Sequence, residues 1–566
     1  MLDGVQVKRH GGAAPWRRRL ARRALGVAAA MVLVLAGCGG DDSAGKGSSS
    51  DSLVVASAGL PTTFVIDGAA PGGYENLEYG VNTQLGLVRH PYLADASSGG
   101  LVQDLYKFEP ALAASYEVSA DALTYTFHLK PGLKSVAGNP FTADDVIWSF
   151  ERKFESETSI TPYVQDPVVK DPVQQLKKVD EMTVAFTVAK PGYGFTLLSL
   201  LANVTGYIYD STLLKSHATA EDPYAVSWSQ ENPNIGFGAY QRTSFTPGTE
   251  MVLEANPNYP LDAPGYKKVI FRVTADPGTR ANTVKSGDAD IAVQLRAADQ
   301  TDLAKASGVK VYTFPSTNML TILTMDTTRA PFDDPKVRQA MAKAVPYQQI
   351  LDNVYQGRGI LTTGLLDPDA PNYVGEQLSE PGYDPEAAKA LLSEAGHPEG
   401  VEFSLTVSNS VPDVEQAAIQ VQSFAADAGF KIAIDKQPAA AVSEGITSRK
   451  FVAFMWRDMA ISSSPQYELG LFFKKGEGGT AASTNSSGWV DDTYLSTVDQ
   501  GAALPDPTSA EASKLWNAAE QITSAQIPQI YVGRIQPQNA FRSNISGYAN
   551  RLDNDIDFSM LKPTNG

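Results

Sequence analysis

Cysteine is almost absent from this 566-residue chain; Cys38 is the only one. A single thiol excludes an internal disulfide, so the body must hold together by packing. Histidine is nearly as scarce: beyond His10 the chain has only His90, His128, His217 and His397, none with a partner at metal-ligand spacing. That argues against a zinc enzyme, and no metal or other cofactor is expected. Positive charge is in deficit, with 46 Lys and Arg against 63 Asp and Glu. Past residue 37 the balance is 39 against 62, a net of −23. Phosphate binding needs a basic surface, so a nucleic-acid partner is excluded as an expectation. A G-x-S-x-G elbow and an H-E-x-x-H pair are both missing. Ser-x-x-Lys occurs at Ser43, Ser307 and Ser559, but without the Lys-Thr-Gly or Ser-Asp-Asn that would give it catalytic meaning. No run approaches the ~20 apolar residues that span a bilayer.

What is present begins at the N-terminus. Arg17, Arg18, Arg19, Arg22 and Arg23 precede an apolar stretch over 24–35, which ends in Leu35-Ala36-Gly37-Cys38. A basic region, a short apolar region and small residues before a cleavage point make a signal peptide over 1–37. The cysteine after the small pair resembles a bacterial lipobox, in which Cys38 is lipidated and becomes the first mature residue. Residues 39–51 are Gly, Ser, Asp, Lys and Ala, a flexible linker of the kind that holds a body off a lipid surface. The expected location is the extracytoplasmic face of a bacterial membrane.

The body alternates strand and helix signals. Leu53-Val54-Val55-Ala56 reads as a strand. Leu123, Tyr125, Phe127 and Leu129 alternate with polar residues as a half-buried strand, closed by Lys130-Pro131-Gly132. Thr142 with Asp145 makes a capping box, and Val146, Ile147 and Phe150 give the helix an apolar face. Gly236-Phe237-Gly238 lacks the Lys-Ser/Thr of a phosphate loop and reads as a tight turn with positive φ. Asp334-Pro335 and Asp384-Pro385 each place a cap before a helix-starting proline. Val337, Ala340, Met341, Ala344 and Val345 then fall on one helical face. Such alternation argues for an α/β protein with sheets covered by helices.

Seven pieces, in order, resemble the family 5 extracellular solute-binding proteins, the peptide- and nickel-binding lipoproteins of ABC importers. They are Pro110-Ala111-Leu112-Ala113; Tyr125-Thr126-Phe127-His128-Leu129-Lys130-Pro131-Gly132; Phe141-Thr142-Ala143-Asp144-Asp145-Val146; Gly236-Phe237-Gly238-Ala239-Tyr240; Gly287-Asp288-Ala289-Asp290-Ile291; the stretch from Pro331 to Ala340; and that from Tyr383 to Lys389. The resemblance implies a two-lobed periplasmic-binding-protein-like (type II) fold with an extra inserted N-terminal α/β domain. The turns near Pro91, Pro223 and Pro315 set the expected boundaries: lobe I from 52–91, 224–313 and 528–566, the inserted domain over 92–223, and lobe II over 314–527.

The resemblance also implies a function. Two lobes close over a small solute, a peptide first, and present it to a permease and ATPase; the protein is expected to be a monomer and not an enzyme. In peptide-binding relatives a carboxylate soon after a Trp takes the peptide amine. Here that region is Met455-Trp456-Arg457-Asp458, with Ser464-Pro465 where relatives have Asp-Pro. Asp458 is the expected amine ligand, Trp456 a stacking surface and Arg457 a carboxylate partner; the alternative is a solvated Arg–Asp pair beside a core Trp. Tyr74, Glu75 and Asn318 are further cleft candidates. A sensor lipoprotein signalling to a membrane receptor would share the scaffold, and a lipid-anchored hydrolase is the rival from another class.

Overall fold

The run Leu53-Val54-Val55-Ala56 lies in the strand Ser52–Ser57, which pairs in parallel on both edges, with Lys268–Val273 and with Ile291–Ala292. A parallel strand covered on both faces needs such an unbroken apolar run. The computed structural model describes residues 51–564, apart from 66, 68–72, 157–160, 167, 316, 369, 372–377, 379–381, 477–478 and 483. The expected signal peptide and Cys38 lie outside the described residues.

Two large sheets organise the body. The first runs Tyr240–Thr246, Glu250–Ala255, Lys268–Val273, Ser52–Ser57, Ile291–Ala292, Ala540–Arg542, Val309–Lys310. The second runs Gly359–Ile360, Gln529–Ile535, Met319–Met325, Ala453–Met459, Val401–Ser408, Phe430–Gln437. The chain passes between them after Lys310 and again after Ile535, so each sheet is the base of one lobe of a mixed α/β, two-lobed binding-protein fold. A four-stranded antiparallel sheet within 113–187 is built from the chain between Ser52–Ser57 and Tyr240–Thr246.

Two pairings fall differently from the expected boundaries. Gln529–Ile535, expected in lobe I, pairs antiparallel with Met319–Met325, so the second lobe holds its strand through Ile535. Tyr92–Asp95 pairs with Gly100–Gln103, which pairs in turn with Ala549–Asn550 of the C-terminal segment. Turn residues mark where a strand ends, but which edge it joins is settled by long-range pairing.

Local signals act as their chemistry dictates. Thr142 and Asp145 form the reciprocal capping box. Asp334 accepts from the Lys336 N–H and Asp384 from the Ala387 N–H. Val337, Ala340, Met341, Ala344 and Val345 are all buried in the second lobe's core.

The Gly236-Phe237-Gly238 turn forms for a different reason from the one expected. Neither glycine is among those with positive φ. A Cβ on Gly238 would stand 2.2 Å from the carbonyl carbon of Thr83, and one on Gly236 1.9 Å from Oε1 of Gln84. Close approach to the end of the helix Tyr74–Thr83 is what demands glycine here. Gly238→Ala is therefore expected to destabilise the protein by about 2 kcal/mol or more, as overpacking against backbone does. Urea unfolding measures it, and a wild-type midpoint would refute the steric account.

Candidate ligand-binding site

Seven paired positions lock the strand Ala453–Met459 against Met319–Met325, and Asp458 stands opposite Leu320. On the other side of Leu320 stands Arg534 of Gln529–Ile535. Directly opposed residues share a face, so Asp458 and Arg534 flank Leu320 across two strand spacings, about 10 Å. Asp458 lies at the carboxyl end of its strand, the edge of an α/β sheet where ligands collect.

Strand alternation separates the residues of the Trp456-Arg457-Asp458 motif. Trp456 shares the face of Asp458 but sits deeper, packed on Phe472 with ring centroids 6.0 Å apart. Its indole N–H donates to Thr324 Oγ1 at 3.1 Å. Arg457 points to the opposite face. It pairs with Asp413 at the start of the helix Pro412–Ala425 and donates to Gln538 Oε1 at 3.0 Å. An arginine already engaged with a buried carboxylate is a structural tie, so Arg457 does not reach the cavity that Asp458 lines.

That cavity has a volume of about 30 Å³. Asn318, Leu320, Asp458, Glu468 and Arg534 line it from the second lobe, and Leu105, Tyr106 and Leu552 line it from chain that packs with the first. Glu468 comes from the first turn of the helix Pro465–Phe472. Arg534 donates from Nη2 to the carbonyls of Leu365 at 2.6 Å and Leu366 at 2.9 Å. Its Nη1 reaches the Thr317 carbonyl at 3.4 Å, and its Nε–H has no acceptor among the described residues. Burial pushes the Asp458 carboxyl up to about 7, against the opposing pull of Arg534 and of the Met459 N–H. Glu468 is raised as well, by burial first and then by Asp458. Two carboxyls thus share one cavity with a guanidinium whose donors go mostly to carbonyls. The chemistry suits a cation with several N–H donors.

One wall is closed by hydrogen bonds between the segment 462–466 and the helix Tyr193–Leu201 region. Thr196 Oγ1 and Ser464 Oγ lie 2.7 Å apart, Gln466 Nε2 donates to the Gly192 carbonyl at 2.8 Å, and the Ser463 N–H donates to Ser199 Oγ at 3.0 Å. Ser463 Oγ also donates to the Leu105 carbonyl at 2.7 Å.

Of the residues expected from sequence, Asp458 and Asn318 meet in this cavity. Trp456 lies beneath it and Arg457 on the far face. Tyr74 and Glu75 open the helix Tyr74–Thr83 and do not line it. Glu75 Oε1 accepts from Gln294 Nε2 at 3.1 Å, while burial, then the charges of Glu78 and Asp555, raise the Tyr74 hydroxyl. Sequence reasoning missed Glu468 and Arg534. A lone arginine inside the apolar strand Gln529–Ile535 was a readable signal; Glu468 looked like any acid in a first helical turn.

Comparison with known proteins settles the family. The model of the bacterial extracellular solute-binding proteins, family 5 Middle, matches residues 107–480. The chain belongs to that family. As a family 5 solute-binding protein it serves transport as an extracytoplasmic binding component and is not an enzyme. It is 27% identical over 501 residues to di/tripeptide-binding protein 3 of Pseudomonas aeruginosa (strain UCBPP-PA14), covering 81% of this chain and 87% of the relative. It is 30% identical over 394 residues to heme-binding protein A of Haemophilus influenzae, covering 66% of this chain and 69% of that one. The solved structure of the ABC transporter-associated periplasmic binding protein DppA from Helicobacter pylori, in complex with peptide STSA, shares the fold. Its TM-score is 0.78 at 20% identity, over 91% of this chain and 98% of that one. Among the described residues no helix is long and apolar enough to cross a membrane.

The raised Asp458 carboxyl has a measurable consequence. Between its ordinary value near 4 and the folded value of about 7, the folded protein holds a proton that the unfolded chain has released. This contribution to stability is full at acid pH and is lost as pH rises through about 7. In Asp458→Asn it is absent. The Tm of the variant relative to wild type is therefore expected to climb by about 2 °C or more between about pH 5 and about pH 8. A difference constant across that range would show that Asp458 does not titrate as described.

Proposed function

We propose that this family 5 protein is the substrate-binding subunit of an ABC importer. It takes an oligopeptide or similar small solute between its lobes, and a lipid on Cys38 tethers it to the outer face of the cell membrane. The observation that carries the ligand reading is Asp458: a half-buried carboxylate at the carboxyl end of a strand, in a cavity walled from both lobes. A peptide α-ammonium supplies the three N–H donors such a group wants. The rest of a peptide offers backbone groups to main chain, which tolerates varied side chains. Relatives named for di- and tripeptides support the same class of ligand.

Ligand energy must favour the closed arrangement over the open one, because equal affinity for both shifts nothing. The hydroxyl and amide bonds between the segment 462–466 and the helix Tyr193–Leu201 region are of the kind that closure forms. The closed monomer is then the form offered to the permease and its ATPase.

Mass spectrometry of small molecules released by denaturing the purified protein tests the ligand. Short peptides of varied sequence are expected, and Asp458→Ala is expected to lose them; a single non-peptide compound would overturn the peptide reading. Membrane fractionation tests the anchor. Wild type is expected in the membrane fraction with a lipid-sized mass increment on its N-terminal cysteine, and Cys38→Ala in the soluble fraction. Equal partition of the two would refute lipidation.

A further inference from the structure

Asp458 does not stand alone in its cavity. Glu468 enters from the helix Pro465–Phe472 above the sheet, and Arg534, the only arginine among the described residues that line the space, spends its terminal nitrogens on the carbonyls of Leu365, Leu366 and Thr317. Arg534 is 3% exposed, and its Nε–H is buried with no acceptor among the described residues. The cavity is thus lined by two carboxyls suited to a donor-rich cation and by an arginine with one buried N–H left unpaired. An unpaired buried donor is costly unless a ligand satisfies it. The α-aminoacyl head of a peptide carries both complements, an ammonium and a carbonyl oxygen separated by a single carbon.

We propose that Glu468 is a second specificity-determining residue of this site: Asp458 and Glu468 together receive one primary ammonium, which enters in exchange for a proton, while the Arg534 Nε–H takes the neighbouring carbonyl. The proposal rests on the peptide reading above and deepens it. It selects solutes with a free α-amino group next to a carbonyl and rejects N-acylated peptides and neutral sugars.

The proton follows from burial of both carboxyls and, for Glu468, from the charge of Asp458 beside it. Two carboxyls in one partly buried space do not both ionise readily without a cation. The groups facing them are Arg534 from the strand Gln529–Ile535, Asp367 from the segment lining the same cavity, Tyr106 from the opposite wall and Tyr467 beside Glu468. Among these only Arg534 is cationic. Burial raises both carboxyls, Asp458 to about 7, and the charge of Asp458 raises Glu468 further. In the empty site a proton does the work of the missing cation; an arriving ammonium displaces it to solvent. Affinity must then rise with pH through about 7. It falls again where the ligand's own amine loses its proton, near 8.

Titration calorimetry of the purified full chain, freed of its native solute by denaturation and refolding, tests this with trialanine and N-acetyl-trialanine as probes. Measurements are made at about pH 6, 7 and 8, in two buffers of different ionisation enthalpy. Between about pH 6 and about pH 7 trialanine is expected to bind more tightly as pH rises, with net proton release, and N-acetyl-trialanine not to bind. Glu468→Gln, a near-isostere, is expected to lose about tenfold in affinity and to reduce the proton release and the pH slope; Asp458→Asn is expected to lose binding. If Glu468→Gln keeps wild-type affinity and slope while Asp458→Asn loses binding, Glu468 is a bystander and this proposal falls, with the peptide reading intact. If N-acetyl-trialanine binds as well as trialanine, or neither binds, the peptide-amine reading falls and takes this one with it.

Discussion

The antiparallel ladder between Ala453–Met459 and Met319–Met325 is the constraint on which the site depends. A one-residue slip in a β ladder would turn every side chain to the other face. Here the register is pinned from both sides, because Met319–Met325 also pairs with Gln529–Ile535 and is buried along its whole length. That pinning sets Asp458, Leu320 and Arg534 in one row. It also commits Arg457 to the opposite face, where Asp413 and Gln538 hold it. Gln538 lies in the short segment by which the chain returns to the first sheet, so one strand ties the ligand cavity on one face to the lobe crossing on the other.

The electrostatics of the cavity follow from that placement. Arg534 could have neutralised either carboxyl, but its donors go to the carbonyls of Leu365, Leu366 and Thr317, which fixes those loops instead. What remains is a shortage of positive charge beside two acids and one unanswered N–H. A binding protein has reason to keep such an imbalance: interactions left unsatisfied in the empty site are the ones a ligand can supply, and they separate right from wrong solutes more sharply than apolar contact does.

Elements with a local cause were legible in the sequence. The capping box at Thr142, the Asp-Pro helix starts at Asp334 and Asp384, and the alternating strand Thr124–Leu129 each depend on side chains a few residues apart. The Gly236-Phe237-Gly238 turn was legible as a turn but not in its cause, because the helix end that crowds it lies some 150 residues earlier in the chain. The site was half legible. Asp458 stood out by its place after a tryptophan, whereas Glu468 carried no signal distinct from an ordinary first-turn acid.

By itself the sequence determined the α/β class, the family, the deficit of basic charge and the single cysteine, because composition, caps and short-range periodicity are carried by neighbouring residues. Only the tertiary structure decided that Asp458 and Arg457, adjacent in the chain, face opposite ways into different chemistry, and that Asp458, Glu468 and Arg534, spread over 77 residues, share one cavity. The physical reason is that strand alternation and long-range pairing, not proximity in the chain, select which charges meet.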